Sequence, residues 1–305
     1  MVGGSAGLKS VAEVSNTQKR ETASITLDLE PFDLQQTLDG GQAFRWYGND
    51  DGSFRGILGS HIVAISCDGA TVSAEFAGSE ERDRVCRDME DYLVAKTDVA
   101  KLRAVLANEP GFGSLVAEMP LIRVMRQDPW ECLVSFICSQ NSNIPRIKQM
   151  VAAVARMGWR IGAEDWAFEL PDPKVVVDAG EMHLRKIGLG YRAKHLALTA
   201  EMLANWSNLG ELRNASYYEA REALMGFPGV GPKVADCVLA YSLDKGEAFP
   251  VDVHVRRAAI RLYNLDDDVK NDAVGEWARD RFGEYAAWAQ LYMFRDEINR
   301  RINGA

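Results

Sequence analysis

The sequence predicts an α+β protein, a small N-terminal antiparallel β-sheet domain followed by a larger all-helical body. Three observations carry that expectation. Residues 24–77 alternate apolar and polar with period two, in short runs broken by turn clusters. From about Glu80 the apolar period becomes helical. Within 217–243 two helical segments meet across a turn rich in glycine and proline, a helix–hairpin–helix. The expected organisation is a disordered tail over 1–22, a sheet domain with flanking helices over 23–110, and a helical body over 111–305.

The elements follow in order. Ser24-Ile25-Thr26-Leu27-Asp28-Leu29 reads as a strand, as does Ala43-Phe44-Arg45-Trp46-Tyr47, which runs into the turn cluster Gly48 to Gly52. Phe54–Leu58, Ile62–Cys67 and Thr71–Phe76 come next, and short strands joined by turns form an antiparallel sheet with one buried face. Val85, Met89, Tyr92 and Leu93 then mark a helix. Asp128-Pro129-Trp130 is a helix start, an N-cap followed by proline in the first turn. That helix carries Trp130, Leu133, Val134 and Ile137 on one face and ends at the polar run Ser139 to Asn143. Pro145 opens the next helix, with Ile147, Val151, Val154 and Met157 inward, and helices continue to the end of the chain.

Composition excludes several classes. The 305 residues are 47% hydrophobic and 26% charged, the balance of a globular protein, and no apolar run reaches the roughly 18 residues that span a bilayer. Residues 1–22 are polar and lack the apolar stretch of a secretory signal. The five cysteines are scattered, with no C-x-x-C pair, so neither a zinc site nor an iron–sulfur cluster is supported. Reduced thiols in an intracellular protein are the simplest account. The net charge of −9 argues against binding nucleic acid by bulk charge. The positive groups are instead gathered locally, in the glycine-punctuated stretch from Leu184 to His195, while acids cluster at Asp266-Asp267-Asp268.

The most informative segment is Leu224 to Asp236. A helix from about Tyr217 enters the turn Gly226-Phe227-Pro228-Gly229-Val230-Gly231, and a second helix starts at Pro232. Gly229 and Gly231 lack a Cβ and can take positive φ. Their amides, with the N-terminus of the second helix, make an anion site suited to a DNA phosphate and blind to sequence. A plain connection closed by Gly and Pro is the competing reading. Lys233, just inside the second helix, is electrostatically misplaced, because a helix dipole favours anions at its N-terminus. As a free amine it can attack a sugar C1′; as an ammonium it can hold a phosphate as a point charge, and the segment alone does not separate the two. Asp252 precedes the helical run Val253–Leu262 and can cap it.

Gly226 to Asp236, followed by Pro250-Val251-Asp252-Val253-His254, resembles the helix–hairpin–helix DNA glycosylases that end in a Gly/Pro-rich loop and an Asp. In that superfamily a lysine in the hairpin marks bifunctional members, which release a base and then nick the strand. The resemblance implies Lys233 as nucleophile and Asp252 as the carboxylate facing the developing oxocarbenium charge. Four further segments are similar to the 8-oxoguanine DNA glycosylase branch. Gly40 to Trp46 places Gly41 where a glycine carbonyl accepts N7–H of the damaged base. Phe136 to Ile147 places Asn141 and Arg146 as readers of the opposite cytosine, with Ser142 and Pro145 departing from the usual loop. Gly190-Tyr191-Arg192 supplies a wedge tyrosine and a further cytosine reader. Ala289 to Phe294 places Gln290 on the base edge and Phe294 on its face. Cys237 matches the residue on the other face of the base, and His254 a phosphate contact.

The resemblance implies base flipping, a lysine Schiff base and β-elimination, with 8-oxoguanine opposite cytosine as substrate and double-stranded DNA as partner. It implies no organic cofactor and no catalytic metal; a cation at the contact between hairpin and phosphate is a superfamily feature. A monomer without a membrane role is expected, cytoplasmic or nucleoid-associated in a prokaryote and nuclear in a eukaryote. Two alternatives stand beside it. One is a glycosylase of the superfamily for another damaged base, disfavoured for the endonuclease III type by the missing iron–sulfur cysteines and for the alkyl-base type by Lys233. The other is a non-catalytic DNA-binding module that uses the hairpin only for phosphates.

Overall fold

The computed structural model describes residues 22–302 and 304 apart from Ser207. Five strands, β1 (Thr22–Asp28), β2 (Tyr47–Gly48), β3 (Phe54–Leu58), β4 (His61–Asp68) and β5 (Thr71–Ala77), form one antiparallel sheet in the order β1-β5-β4-β3-β2. Alternation sets its register. Val63 pairs with Phe76 and Ile65 with both Ala74 and Phe54, all on the buried face. The tail expected over 1–22 lies outside the described residues except Thr22, which already pairs with Ala77 in β1.

One expected strand is shorter than its pattern. Of Ala43 to Tyr47 only Tyr47 enters the sheet, in the two-residue β2. Ala43, Phe44 and Trp46 are buried instead in an irregular segment that crosses from the sheet to the helices. Continuous burial of that kind produces an apolar run that sequence alone cannot distinguish from a strand. The short helix α1 (Leu34–Leu38), capped by Asp33, precedes this crossing.

Twelve further α-helices follow among the described residues. Helix α2 (Arg82–Tyr92) packs on β1 and β3, and α3 (Val99–Ala107) and α4 (Gly113–Glu118) pack on each other. The body then contains α5 (Pro129–Ser139), α6 (Ile144–Ala155), α7 (Pro173–Leu184), α8 (Arg192–Leu203) and α9 (Tyr217–Met225). It closes with α10 (Pro232–Ser242), α11 (Val253–Tyr263), α12 (Asn271–Phe282) and α13 (Ala286–Ile302). Their starts follow local chemistry. Asp128, Asn143, Ser216 and Asp252 each accept a backbone N–H of the first turn, satisfying donors that have no partner inside the helix.

The hydrophobic core runs without a break from Ile25 in the sheet to Met293 in α13. Buried polar groups tie the sheet to the body. Arg123, 1% exposed, donates to the carbonyls of Leu93 and Val94, and Arg45 pairs with Glu131 at 2.6 Å and also donates to Phe168 O. No helix among the described residues is long and apolar enough to cross a membrane.

Candidate active site

The site is a cleft of about 1020 Å³ between the 40–44 crossing, the C-terminal end of α5, the hairpin and α10, the N-terminus of α11, and α13. Lys233, Asp252, Gly41, Cys237, Gln290, Phe294, Asn141, Gly229, Gly231 and His254 all line it. Of the expected residues only Arg146, Tyr191 and Arg192 do not.

Lys233 stands in the first turn of α10, which projects its side chain across the C-terminal end of α5. Its Nζ donates to Ser139 Oγ at 3.4 Å and lies 4.7 Å from the centre of the Phe136 ring. Ser139 Oγ donates in turn to Phe136 O at 2.8 Å, so its lone pairs are left for the lysine. Cys237, one turn further along α10, is 2% exposed. Burial pushes its thiol up to about 12 against the pull of Lys233, so at neutral pH it meets the cleft as a neutral thiol. Asp252 is the N-cap of α11. Its Oδ1 accepts the backbone N–H groups of His254 and Val255, each at 2.9 Å, which leaves Oδ2 for an occupant of the cleft. The His254 ring meets Phe294 edge-on at 5.9 Å.

The far wall is Gly41, Gln290 and Phe294. Gly41 sits at φ 99, and a Cβ there would lie 3.1 Å from Phe294 and 3.4 Å from Ile144, so a side chain would fill the gap beside the ring. The loop that presents it is held by Gln42, which is fully buried. Gln42 donates to Thr37 O and Arg123 O and accepts from the Met125 amide. Gln127 donates to Gln42 O at 2.8 Å, and its own backbone amide donates to Tyr241 O at 2.8 Å. The Tyr241 hydroxyl donates to Gln290 Oε1 at 2.6 Å. Sequence reasoning did not single out Gln127, Ser139 or Tyr241, and it gave Gln42 no role. The bonds Gln127–Gln42, Lys233–Ser139 and Tyr241–Gln290 span 85, 94 and 49 positions of the chain, and no local pattern marks them.

The hairpin differs in one respect from expectation. Gly229 takes φ 77, and a Cβ there would strike the His195 ring at 2.4 Å. Gly231 does not take positive φ; at φ −91 it is the N-cap of α10, and no atom lies within 4 Å of where its Cβ would be. Its bareness serves whatever approaches the helix N-terminus, not the turn itself.

Beside the hairpin runs the 139–143 loop, whose tip, Asn141, is exposed at φ 47, a left-handed conformation that asparagine tolerates. Asn141 donates to the Tyr191 hydroxyl, which donates to Gln140 O, each at 3.1 Å. Arg146 is exposed and donates to Gly188 O at 2.7 Å. Arg192 is where the structure departs most from expectation. It is 9% exposed, stacked on Tyr191, and its guanidinium is spent on the carbonyls of Gln140 and Asn141. It holds the loop from behind, because α8 begins at this residue and turns its side chain inward. Gln140 also donates to Gly229 O at 2.9 Å, tying loop to hairpin. Arg185, Lys186 and Lys194 are exposed on the same stretch.

Together the hairpin, a lysine in a half-buried cradle and a helix-capping carboxylate in one cleft define a helix–hairpin–helix base-excision DNA repair protein; the profile of that superfamily matches residues 134–281. The 8-oxoguanine DNA glycosylase N-terminal domain matches residues 24–133. An N-glycosylase/DNA lyase of Arabidopsis thaliana is 35% identical, over 87% of this chain and 77% of its own. A probable N-glycosylase/DNA lyase of Methanothermobacter thermautotrophicus is 28% identical, over 86% of this chain and 92% of its own. The crystal structure of the Clostridium acetobutylicum 8-oxoguanine glycosylase/lyase, with double-stranded DNA containing cytosine opposite 8-oxoguanine, superposes with a TM-score of 0.84. It is 30% identical and covers 93% of this chain and 98% of its own. The chain belongs to the 8-oxoguanine DNA glycosylase family.

Proposed function

We propose that this protein binds duplex DNA, turns 8-oxoguanine out of the helix into the cleft, releases the base and nicks the strand. The observation that carries the reading is the convergence of Lys233 and Asp252 with Gly41, Cys237, Gln290 and Phe294 in one cavity. The activity is that of a DNA N-glycosylase with an associated lyase step.

The Lys233 amine attacks C1′ as the glycosidic bond breaks, and the base leaves with the bonding electrons and takes up a proton. Asp252 stabilises the positive charge that develops on the sugar. The nitrogen gives up a proton as the C1′–O4′ bond of the sugar ring breaks and O4′ takes a proton, which leaves a protonated Schiff base between C1′ and Lys233; loss of a C2′ proton from it then expels the 3′ phosphate by β-elimination. Phe294 and the neutral Cys237 thiol lie on the two faces of the flipped base, Gln290 on its Watson–Crick edge, and the Gly41 carbonyl accepts the N7–H that guanine lacks. The amides of Gly229 and Gly231, with His254, hold the phosphates. Asn141 and Arg146 read the opposite cytosine, Tyr191 wedges beside it, and Arg192 supports their loop.

The protein acts as a monomer on intracellular DNA and needs no organic cofactor or catalytic metal. A cation at the contact between hairpin and phosphate would draw on turn carbonyls such as those of Phe227, Pro228 and Gly229, each of which accepts one protein donor and keeps a second lone pair. Borohydride trapping across a panel of lesions and opposite bases tests the reading. A covalent adduct and base release greatest for 8-oxoguanine opposite cytosine support it. Preference for thymine glycol or 3-methyladenine overturns the substrate, and the absence of any adduct overturns the nucleophile.

A further inference from the structure

Tyr241 and Gln290 are both buried at the back of the cleft, joined by the 2.6 Å bond from the phenol to Oε1. That length suits O–H···O; an N–H···O bond is usually about 2.9–3.0 Å. Burial pushes the Tyr241 phenol well above its ordinary value, so the hydroxyl keeps its proton and donates it. The carbonyl end of the Gln290 amide therefore faces the phenol. Turned over, the amide would set its NH₂ there and strand the phenolic proton in a buried site, which is costly. The ring cannot swing away. It stacks on Phe136 at 5.7 Å and 29°, and its backbone carbonyl is held by Gln127, which also holds the loop of Gly41.

Gly41 cannot by itself complete lesion choice. 8-Oxoadenine carries the same N7–H as 8-oxoguanine, so a carbonyl that senses this proton accepts both. The 6-position must be read elsewhere. An amide can pair with a purine edge in two ways. With a guanine-type edge its NH₂ donates to O6 and its carbonyl accepts from N1–H; with an adenine-type edge its carbonyl accepts from the N6 amino group and its NH₂ donates to N1. The two pairings require opposite orientations of the amide. A carbonyl oxygen has two lone pairs, so Oε1 can hold the phenol and N1–H together.

We propose that Tyr241 is a positioning residue that sets lesion specificity, holding the Gln290 amide in one orientation so that the cleft accepts a guanine-type edge and rejects an adenine-type one. This rests on the reading that Gln290 meets the edge of the flipped base. The test compares wild type, Tyr241→Phe, Tyr241→Met and Gln290→Ala. Single-turnover excision is measured on duplexes with 8-oxoguanine or 8-oxoadenine opposite cytosine, with thermal unfolding as the check on folding. Both Tyr241 variants lack the hydroxyl but differ in shape, and in both the ratio of 8-oxoguanine to 8-oxoadenine excision should fall by about tenfold. An equal loss on both lesions would mean that the hydroxyl is structural only and would overturn the proposal. An unchanged ratio in both Tyr241 variants, with a lowered ratio in Gln290→Ala, also overturns it while leaving Gln290 as the reader. If Gln290→Ala leaves the ratio unchanged too, the reading of Gln290 itself fails.

Discussion

On the Gly41 and α13 side of the cleft, proposed to hold the lesion, the polar groups are buried and bonded to one another. Gln42, Gln127, Tyr241 and Gln290 form a connected set under the Gly41 loop and α13. On the side of the 139–146 loop Asn141 and Arg146 are exposed, and the donors of Asn141, Arg146 and Arg192 are occupied by a hydroxyl and by carbonyls of the loop region. Asn141 leans on Tyr191, Arg146 on Gly188, and Arg192 on Gln140 and Asn141. The first surface is organised before a base arrives. The second must exchange bonds to protein for bonds to a nucleotide, and each exchange offsets part of what the new contact contributes. Lesion choice should therefore be strict and opposite-base choice looser.

The largest effects belong to the chemistry that both surfaces serve. Lys233→Gln should give no borohydride adduct and only background base release, while gel-shift affinity for duplex DNA persists through the hairpin amides. Normal turnover in this variant would remove Lys233 as nucleophile. Asp252→Asn should slow single-turnover excision by about 10²–10³-fold. Asparagine keeps the cap, so the variant's stability to denaturant should stay close to that of wild type, whereas Asp252→Ala should lose about 1 kcal/mol. Were Asp252→Asn to excise at the wild-type rate, Asp252 would be a cap alone.

The two surfaces are compared directly by truncating one residue on each. Phe294→Ala removes a stacking partner worth roughly 1–3 kcal/mol, so affinity for the lesion duplex should fall while that for undamaged duplex stays constant. Arg146→Ala should narrow the preference for cytosine over adenine by less than the roughly 1–3 kcal/mol of a full bidentate contact, since Arg146 gives up Gly188 O to make it. Arg192→Ala should instead lower excision opposite all four bases alike, because it removes the support of the loop. Loss of selectivity in Arg192→Ala without loss of rate would make Arg192 a direct reader and erase the contrast.

The smallest effect concerns a buried carboxyl on the helix that carries Lys233. Asp236, 3% exposed in α10, accepts from Tyr217 and Arg221. Burial pushes its carboxyl up to about 6 against the attraction of Arg221. A folded-state value above the unfolded one means that the contribution is fully present below the unfolded value near 3.8 and is lost as pH rises towards 6. Thermal unfolding of wild type, relative to Asp236→Asn, should therefore weaken between about pH 4 and pH 6 and run parallel above it. A difference between the two proteins that does not change across this window would contradict the raised value.

The sequence by itself determined what short-range physics encodes. Alternation and its change of period specify a sheet followed by helices. Asp128, Pro129 and Asp252 mark helix starts because capping acts within three residues of the cap. Lys233 and Asp252 were legible because the hairpin and the cap are contiguous motifs. What only the tertiary structure decided is everything that depends on partners far apart in the chain. Trp46 has the pattern of a strand residue but lies in a buried crossing, and Gly231 has the composition of a turn residue but serves as an extended N-cap. Arg192 has the composition of a surface residue but is turned inward onto a loop 51 and 52 positions away. Tyr241 reads as one more apolar position of α10 until α13 brings Gln290 to its hydroxyl. The physical reason is the same in each case. A side chain's local pattern fixes which way it points from its own element, whereas its hydrogen-bond partner is set by which other element packs there.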